Sequence, residues 1–356
     1  LTITGLIILG IVITSGGGPD HHSIGFQFWR HPGPFTQYND ITGSKGRFLG
    51  FWAVLTQAAF SYIGTEIVAI AAGEARNPRR NIPRAIKKVY IRILLFYLGG
   101  TFIIGLLVPS TDPSLRLGSG VGKSPFVIAI RNAGIPALPS IINACLLTAA
   151  SSAASSDLYT ASRAIYGLAL TRSAPQVFAR TTARGLPYVA IGFTALFGAL
   201  AYMSLSKGAG NVFNYLVDLS AASGLLTWLG IDILYIRFYA GLKAQGISRS
   251  SLPWTSRFNT GAAAAWYSAV WIVVILFFSG FNVFLDDSWD VGTFVTDYLP
   301  IWLFPVLWVG WKLVKRTHFM RADEMDFLSG LEEVEAASYD EPPPKNFVER
   351  VWRTIM

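Results

Sequence analysis

Apolar residues in this chain fall in long unbroken runs. They do not form the i, i+3, i+4 stripe of a surface helix or the strict alternation of a half-buried strand. The runs are Leu1–Thr14, Arg47–Ala72, Ile86–Val108, Pro136–Leu158, Pro187–Leu205, Val212–Ile236, Ala262–Phe281 and Phe294–Val314. A membrane-spanning helix needs about 20 such residues, and every run but the first is near that length. Leu1–Thr14 reads as the second half of a helix, and the chain as the C-terminal part of a larger membrane protein. Continuous runs exclude a barrel, whose strands alternate over about 10 residues. The expected class is an all-α membrane protein with about eight transmembrane helices.

Composition agrees with this reading. Hydrophobic residues make up 52% of the 356 and charged residues 14%, where a soluble domain carries about 25% charged. The mean hydropathy is +0.44. The net charge of +8 would suggest nucleic acid if it were clustered, but the Lys and Arg lie in loops between apolar runs, so no nucleic-acid partner is expected. One loop set, Gly73–Val89, Arg163–Leu186, Arg237–Phe258 and the tail from Lys312, holds 21 of them. The opposite set, Ser15–Arg47, Pro109–Pro136, Ser206–Gly210 and Asn282–Thr293, holds 7, and Arg92 lies within a run. Positive charge stays cytosolic. The reading is a multi-pass membrane protein with a cytosolic C-terminus, with Asp286, Asp287 and Asp290 outside. Residues 1–314 form the transmembrane domain. Residues 315–356 form a partly disordered tail, acidic from Asp323 to Glu341, able to meet cytosolic partners.

Several features carry little chemistry. A single cysteine, Cys145, excludes an internal disulfide and a Cys-based zinc site. No cofactor or metal is expected. Gly118–Ser124 (GSGVGKS) resembles a phosphate-binding loop, but Leu117 stands where that motif needs glycine. The better reading is a turn, with Ser124 capping a short apolar helix that begins at Pro125. The four histidines, His21, His22, His31 and His318, lie in outer loops or the tail, so a membrane-embedded transferase lacks its residues and no enzyme is expected.

Candidate chemistry concentrates in Phe60-Ser61-Tyr62-Ile63-Gly64-Thr65-Glu66. An ionisable group inside a span marks function by default. Two readings stand. In one the helix breaks near Ile63–Thr65 and exposes backbone groups to a cavity. In the other the helix is continuous, with Gly64 at a packing contact and Glu66 paired to a neighbour. The two prolines of the basic stretch Pro78–Pro83 read as a stiff cytosolic turn. Asp157 is a second site candidate, either facing a cavity or lying at the inner interface, paired with Arg163 or solvated. Ser151, Ser152, Ser155 and Ser156 read as packing residues. Asp232 is expected to pair with Arg237. Asp218 lies deeper, near Ser220 and Ser223, and could serve a proton route or an outer gate.

SYIGTE (Ser61–Glu66), followed by Ala71–Ile86 (AAGEARNPRRNIPRAI), resembles the sixth helix and following loop of fungal amino-acid permeases, of the amino acid–polyamine–organocation superfamily. Ser124–Ile130, Ser151–Arg163, Ala174-Pro175 and Arg184–Pro187 are similar to that family in the same order. The resemblance implies an incomplete twelve-helix, LeuT-type inverted-repeat transporter, matched from the fifth helix onward. It implies proton-coupled amino-acid uptake by alternating access. A non-transporting amino-acid sensor on the same fold, or an inactive fragment, is the alternative. Phe60 would then be the aromatic gate, the Phe60 and Ile63 carbonyls acceptors for the substrate ammonium, Gly64 and Thr65 the break, and Glu66 the proton-coupling acid. Ser61 and Asp157 complete the implied substrate contacts, and Asp218 is a further proton-coupling candidate. The family's carboxylate-binding glycine motif belongs to its first helix, and Leu1–Thr14 lacks the lysine that related fifth helices carry.

Overall fold

A computed structural model describes residues 2–19, 21–38, 41–70, 75, 77–117, 124–135, 138–205, 209–252, 255, 260–285, 289–336 and 346–347. Ten helices matter below: α1 (Thr2–Thr14), α2 (Gly43–Tyr62), α3 (Ile67–Ile70), α4 (Pro78–Leu107), α5 (Pro125–Asn132), α6 (Leu138–Leu170), α7 (Tyr188–Phe197), α8 (Ala209–Ala244), α9 (Ala263–Phe277) and α10 (Val291–Lys315). No strand occurs among the described residues. Five segments are long and apolar enough to cross a membrane, among them Gly43–Ile70, which runs through the α2–α3 junction. Three shorter apolar helices bring the number to eight, as the hydrophobic runs predict.

Several helices outrun their apolar segments. α6 continues through Arg163 to Leu170, and α8 reaches Ala244. At 1.5 Å per residue, the 36 residues of α8 extend about 54 Å, well beyond a hydrocarbon core of about 30 Å. Hydropathy registers only the part in lipid. The expected proline turn is also corrected. α4 begins at Pro78, and Pro83 lies inside it. Proline at the first helical position loses no hydrogen bond, and Pro83 removes only one near the end of the helix. Within α4, Leu94–Leu98 form a π-helical segment. α7 ends at Phe197 and continues as a 3-10 turn through Leu205.

Packing falls into two groups. α1 lies against the second half of α4, with α5 and the start of α6 closing the group. Leu6, Ile13, Ile103, Leu107, Val127 and Ile130 form its core. α5 starts at Pro125, as expected, although the Ser124 side chain makes no capping hydrogen bond. The turn ahead of it, residues 118–123, lies outside the described residues. The second group is built on α8, which touches α2, α9, α10 and the 3-10 turn Ala322–Glu324 of the tail. Ala222, Leu225, Leu226, Ile272 and Leu276 form its core. On the outer surface, large apolar side chains such as Leu196, Leu234 and Trp302 are two-thirds or more exposed. A water-soluble surface does not carry so much contiguous apolar area, and lipid is its natural solvent.

The tail docks on the end of α8. Gln245 Nε2 donates to the Met325 carbonyl at 2.7 Å, and Arg237 donates to the Met320 carbonyl. Arg79, at the start of α4, pairs with Glu335 at 3.3 Å. The proposed disordered part beyond residue 336 lies almost wholly outside the described residues.

Candidate functional site

The helix that begins at Gly43 stops at Tyr62. Ile63 adopts ψ 141°, and Gly64 adopts φ +97°, a left-handed conformation that costs glycine nothing and other residues much. Ile63 N donates to Phe60 O at 3.3 Å, and Ile67 N to Gly64 O at 3.2 Å, so two tight turns replace the regular helical ladder before α3 resumes. Of the two readings of this stretch, the interruption is the one observed. The Phe60 carbonyl is already engaged by Ile63 N, whereas Ile63 O receives no backbone hydrogen bond among the described residues.

The break is held by two side chains. Glu66 Oε2 accepts from the freed Gly64 N at 3.2 Å, from Thr65 Oγ1 at 3.5 Å and from Trp228 Nε1 at 3.1 Å. Ile63 fits a notch in α8 at Gly224. A Cβ there would stand 2.6 Å from Ile63 Cδ1. Gly224 and Trp228 are one helical turn apart, so a single face of α8 receives the break at both points.

A cavity of about 700 Å³ opens beside this junction, walled by Tyr62, Thr65, Glu66, Tyr90, Trp228 and Asp232, with apolar side chains of α4. Tyr62 stacks on Tyr97 of the π segment, ring centres 5.0 Å apart. Of the expected site residues, Thr65 and Glu66 line this cavity; Ile63 and Gly64 shape the break behind it. Phe60 is 41% exposed, Ser61 is exposed, and neither is part of the wall. Asp157, on α6, is exposed and is not part of the wall, although its carboxylate lies within electrostatic range of Glu66. Arg163 lies over the Tyr159 ring, 5.0 Å from its centre.

Asp218 lies elsewhere. It lines a separate cavity of about 180 Å³ with Asp297 of α10. Ser220 and Ser223 are bonded back to the Leu216 and Leu219 carbonyls of their own helix. The expected Asp232–Arg237 pair does not form. Arg237 turns to the tail, while Asp232 Oδ2 is buried with no hydrogen-bond partner. Five residues along a helix is about 140° around it, so the two side chains leave different faces.

Residues 1–324 match the sequence profile of a family described as Amino acid permease. The chain belongs to the amino acid permease family. It is 40% identical to the dicarboxylic amino acid permease of Saccharomyces cerevisiae, covering 92% of this chain and 54% of that protein. It is 41% identical to the lysine-specific permease of the same yeast, covering 100% and 58%. It is 41% identical to that yeast's general amino-acid permease GAP1, covering 94% and 56%. This permease-family chain thus spans little more than half the length of those relatives. It is a multi-pass, all-helical membrane protein of a transporter family.

Sequence reasoning missed Trp228 as a partner of Glu66 and Asp297 as a buried acid. Asp297 carried a legible signal, being a carboxylate inside the apolar run Phe294–Val314. Trp228 carried none, since a tryptophan in a span is ordinarily a lipid anchor.

Proposed function

We propose that the protein carries amino acids across the plasma membrane, with its C-terminus in the cytosol, by alternating access coupled to proton movement at Glu66. The observation that carries this reading is the break itself: an Ile63 carbonyl that receives no backbone hydrogen bond among the described residues, and a carboxylate wired to the freed Gly64 N–H beside a cavity. Broken helices with exposed backbone at cavity depth bind the charged ends of substrates in secondary transporters. Relatives of nearly equal identity bear names that differ in side-chain class: dicarboxylic, lysine-specific, proline-specific. The chemistry common to those names is the α-ammonium and α-carboxylate, and the substrate class proposed is an α-amino acid.

Glu66 suits coupling because its acceptor role depends on ionisation. A proton on Oε2 would occupy one of its lone pairs and remove the charge that its three donors share, loosening both the Gly64 turn and the Trp228 tether to α8. Protonation and helix movement would then be one event. The test is radiolabelled amino-acid uptake by cells expressing the protein and its Glu66→Gln variant. The expected result is saturable, concentrative uptake that falls to simple equilibration in the variant while substrate binding persists. Undiminished accumulation by the variant, or an unaltered dependence on the proton gradient, would refute the coupling role.

A further inference from the structure

The cavity that holds Asp218 and Asp297 is remote from Glu66 in chemistry and in place. It lies toward the end of the bundle opposite the docked tail. Asp297 is in the second turn of α10, about 9 Å from its start, and Asp218 about 14 Å from the start of α8. The remaining walls come from Thr56 and Gln57 of α2, Ser279 and Asn282 of the turn after α9, Thr293 of α10 and the Tyr38 loop. Asp297 is only 5% exposed. Among the described residues it has no hydrogen-bond donor and no ion pair, and its strongest electrostatic neighbour is the Asp218 carboxylate. No Lys, Arg or His occurs among the described lining residues.

The surroundings press on the same carboxylate. The Gly280 backbone packs directly against it, so that a Cβ there would stand 3.0 Å from Asp297 Oδ2. Adjacent Tyr298 does not help, because its hydroxyl donates to the Phe277 carbonyl at 3.2 Å. Asp290, just before α10, is already engaged: it accepts from the Gly292 and Thr293 amides, the Thr293 hydroxyl and the Tyr215 hydroxyl. Two carboxylates with no donor and no counter-charge among the described residues repel one another in such a space, and a positive charge between them relieves that repulsion. The volume, about 180 Å³, accommodates a few water-sized bodies at roughly 30 Å³ each.

We propose that Asp218 and Asp297 form a cation-binding site, separate from the Glu66 site, that takes up one monovalent positive charge: a proton shared between the carboxylates or an alkali cation held between them. On proton uptake, one proton passes from water to one carboxylate oxygen and the pair changes from two negative charges to one. On alkali-cation uptake, both carboxylates stay ionised and the hydroxyl and amide oxygens of Thr56, Gln57, Ser279, Asn282 and Thr293 supply further ligands.

The test is carried out on the purified protein in lipid nanodiscs, comparing wild type with Asp297→Asn, Asp218→Asn and Gly280→Ala. Infrared difference spectra between about pH 8 and about pH 5, spanning the range where a perturbed carboxylate titrates, report protonated carboxyl groups. Binding of radioactive sodium and rubidium reports alkali cations. For a proton site, wild type gains a carboxyl band that both Asn variants lack, with no alkali binding. For an alkali site, wild type binds about one cation, and either Asn substitution lowers affinity at least tenfold. Gly280→Ala, which leaves both acids in place but crowds Asp297, is expected to diminish whichever signal is present. Spectra and cation binding identical in wild type and both Asn variants would overturn the proposal.

Discussion

Glu66 and Asp297 are both carboxylates inside the bundle, and they are held by different means. Glu66 is gripped by donors, a backbone N–H released by the break, a neighbouring hydroxyl and an indole N–H from α8. Its cavity is wide and largely apolar. Asp297 has no donor among the described residues and packs in a narrow polar cavity shared with a second acid. The first arrangement fixes the position of a charge, so that loss of the charge releases the structure around it. The second sets two acids side by side among neutral polar side chains, with the Gly280 backbone against Asp297 Oδ2. A transporter that must move a helix on protonation needs the first kind of acid at the hinge.

The sharpest way to break this distinction is to make both sites apolar. Glu66→Leu strands two donors, Gly64 N–H and Trp228 Nε1, and is expected to cost about 3 kcal/mol. Asp297→Leu strands none and removes a repulsion, so its cost is expected to be near zero or negative. Thermal melting of the purified variants in detergent measures both, and equal losses would erase the contrast. Trp228→Phe keeps the ring but removes one donor to a charged acceptor; a loss of about 2 kcal/mol by the same measurement is expected. Asp157→Asn removes a charge beside Glu66 and is expected to shift the ratio of cationic to neutral amino-acid uptake about tenfold, or about 1.4 kcal/mol. Competition uptake reads that ratio, and equal weakening for all substrates would show that Asp157 does not discriminate between side chains.

The smallest effect belongs to Asp290, the cap of α10. The Thr293 hydroxyl, the Thr293 amide and the Tyr215 hydroxyl hold its carboxyl at about 2, below the usual 3.8. A group with a lowered value in the folded state stabilises fully above its unfolded value, and that contribution disappears as pH falls through the folded one. Asp290→Ala is therefore expected to cost about 1 kcal/mol near neutrality. Variant and wild type should converge between about pH 4 and about pH 2, as followed by melting across that range.

The membrane class and the break were legible because both rest on local chemistry. Run length reports lipid thickness, and Gly64 between Tyr62 and Glu66 reports a backbone that leaves the helix. What the sequence hid was partnership across helices. Asp232 and Arg237 look like a pair in one dimension, yet the helix turns them apart and the tail captures the arginine. Trp228, 162 positions from Glu66, becomes its donor only because Gly224 admits Ile63 one turn away. The proline-bearing start of α4 was read from composition as a turn, although helix starts are where prolines are tolerated.

The π segment of α4 has a consequence for how this chain tolerates change in length. A π turn accommodates one residue more than an α turn, so every side chain after Leu98 is swung about 100° round the axis from where an uninterrupted helix would put it. Before the segment, Ile86, Tyr90 and Ile93 face the Glu66 cavity; after it, Ile103 and Leu107 interlock with α1. The bulge works as a phase adjuster that lets one rod mesh with two partners. Deleting a single residue among Leu94–Leu98 would restore a straight helix and swing the α1-facing side chains off their partner, whereas the same deletion in a surface loop would pass unnoticed.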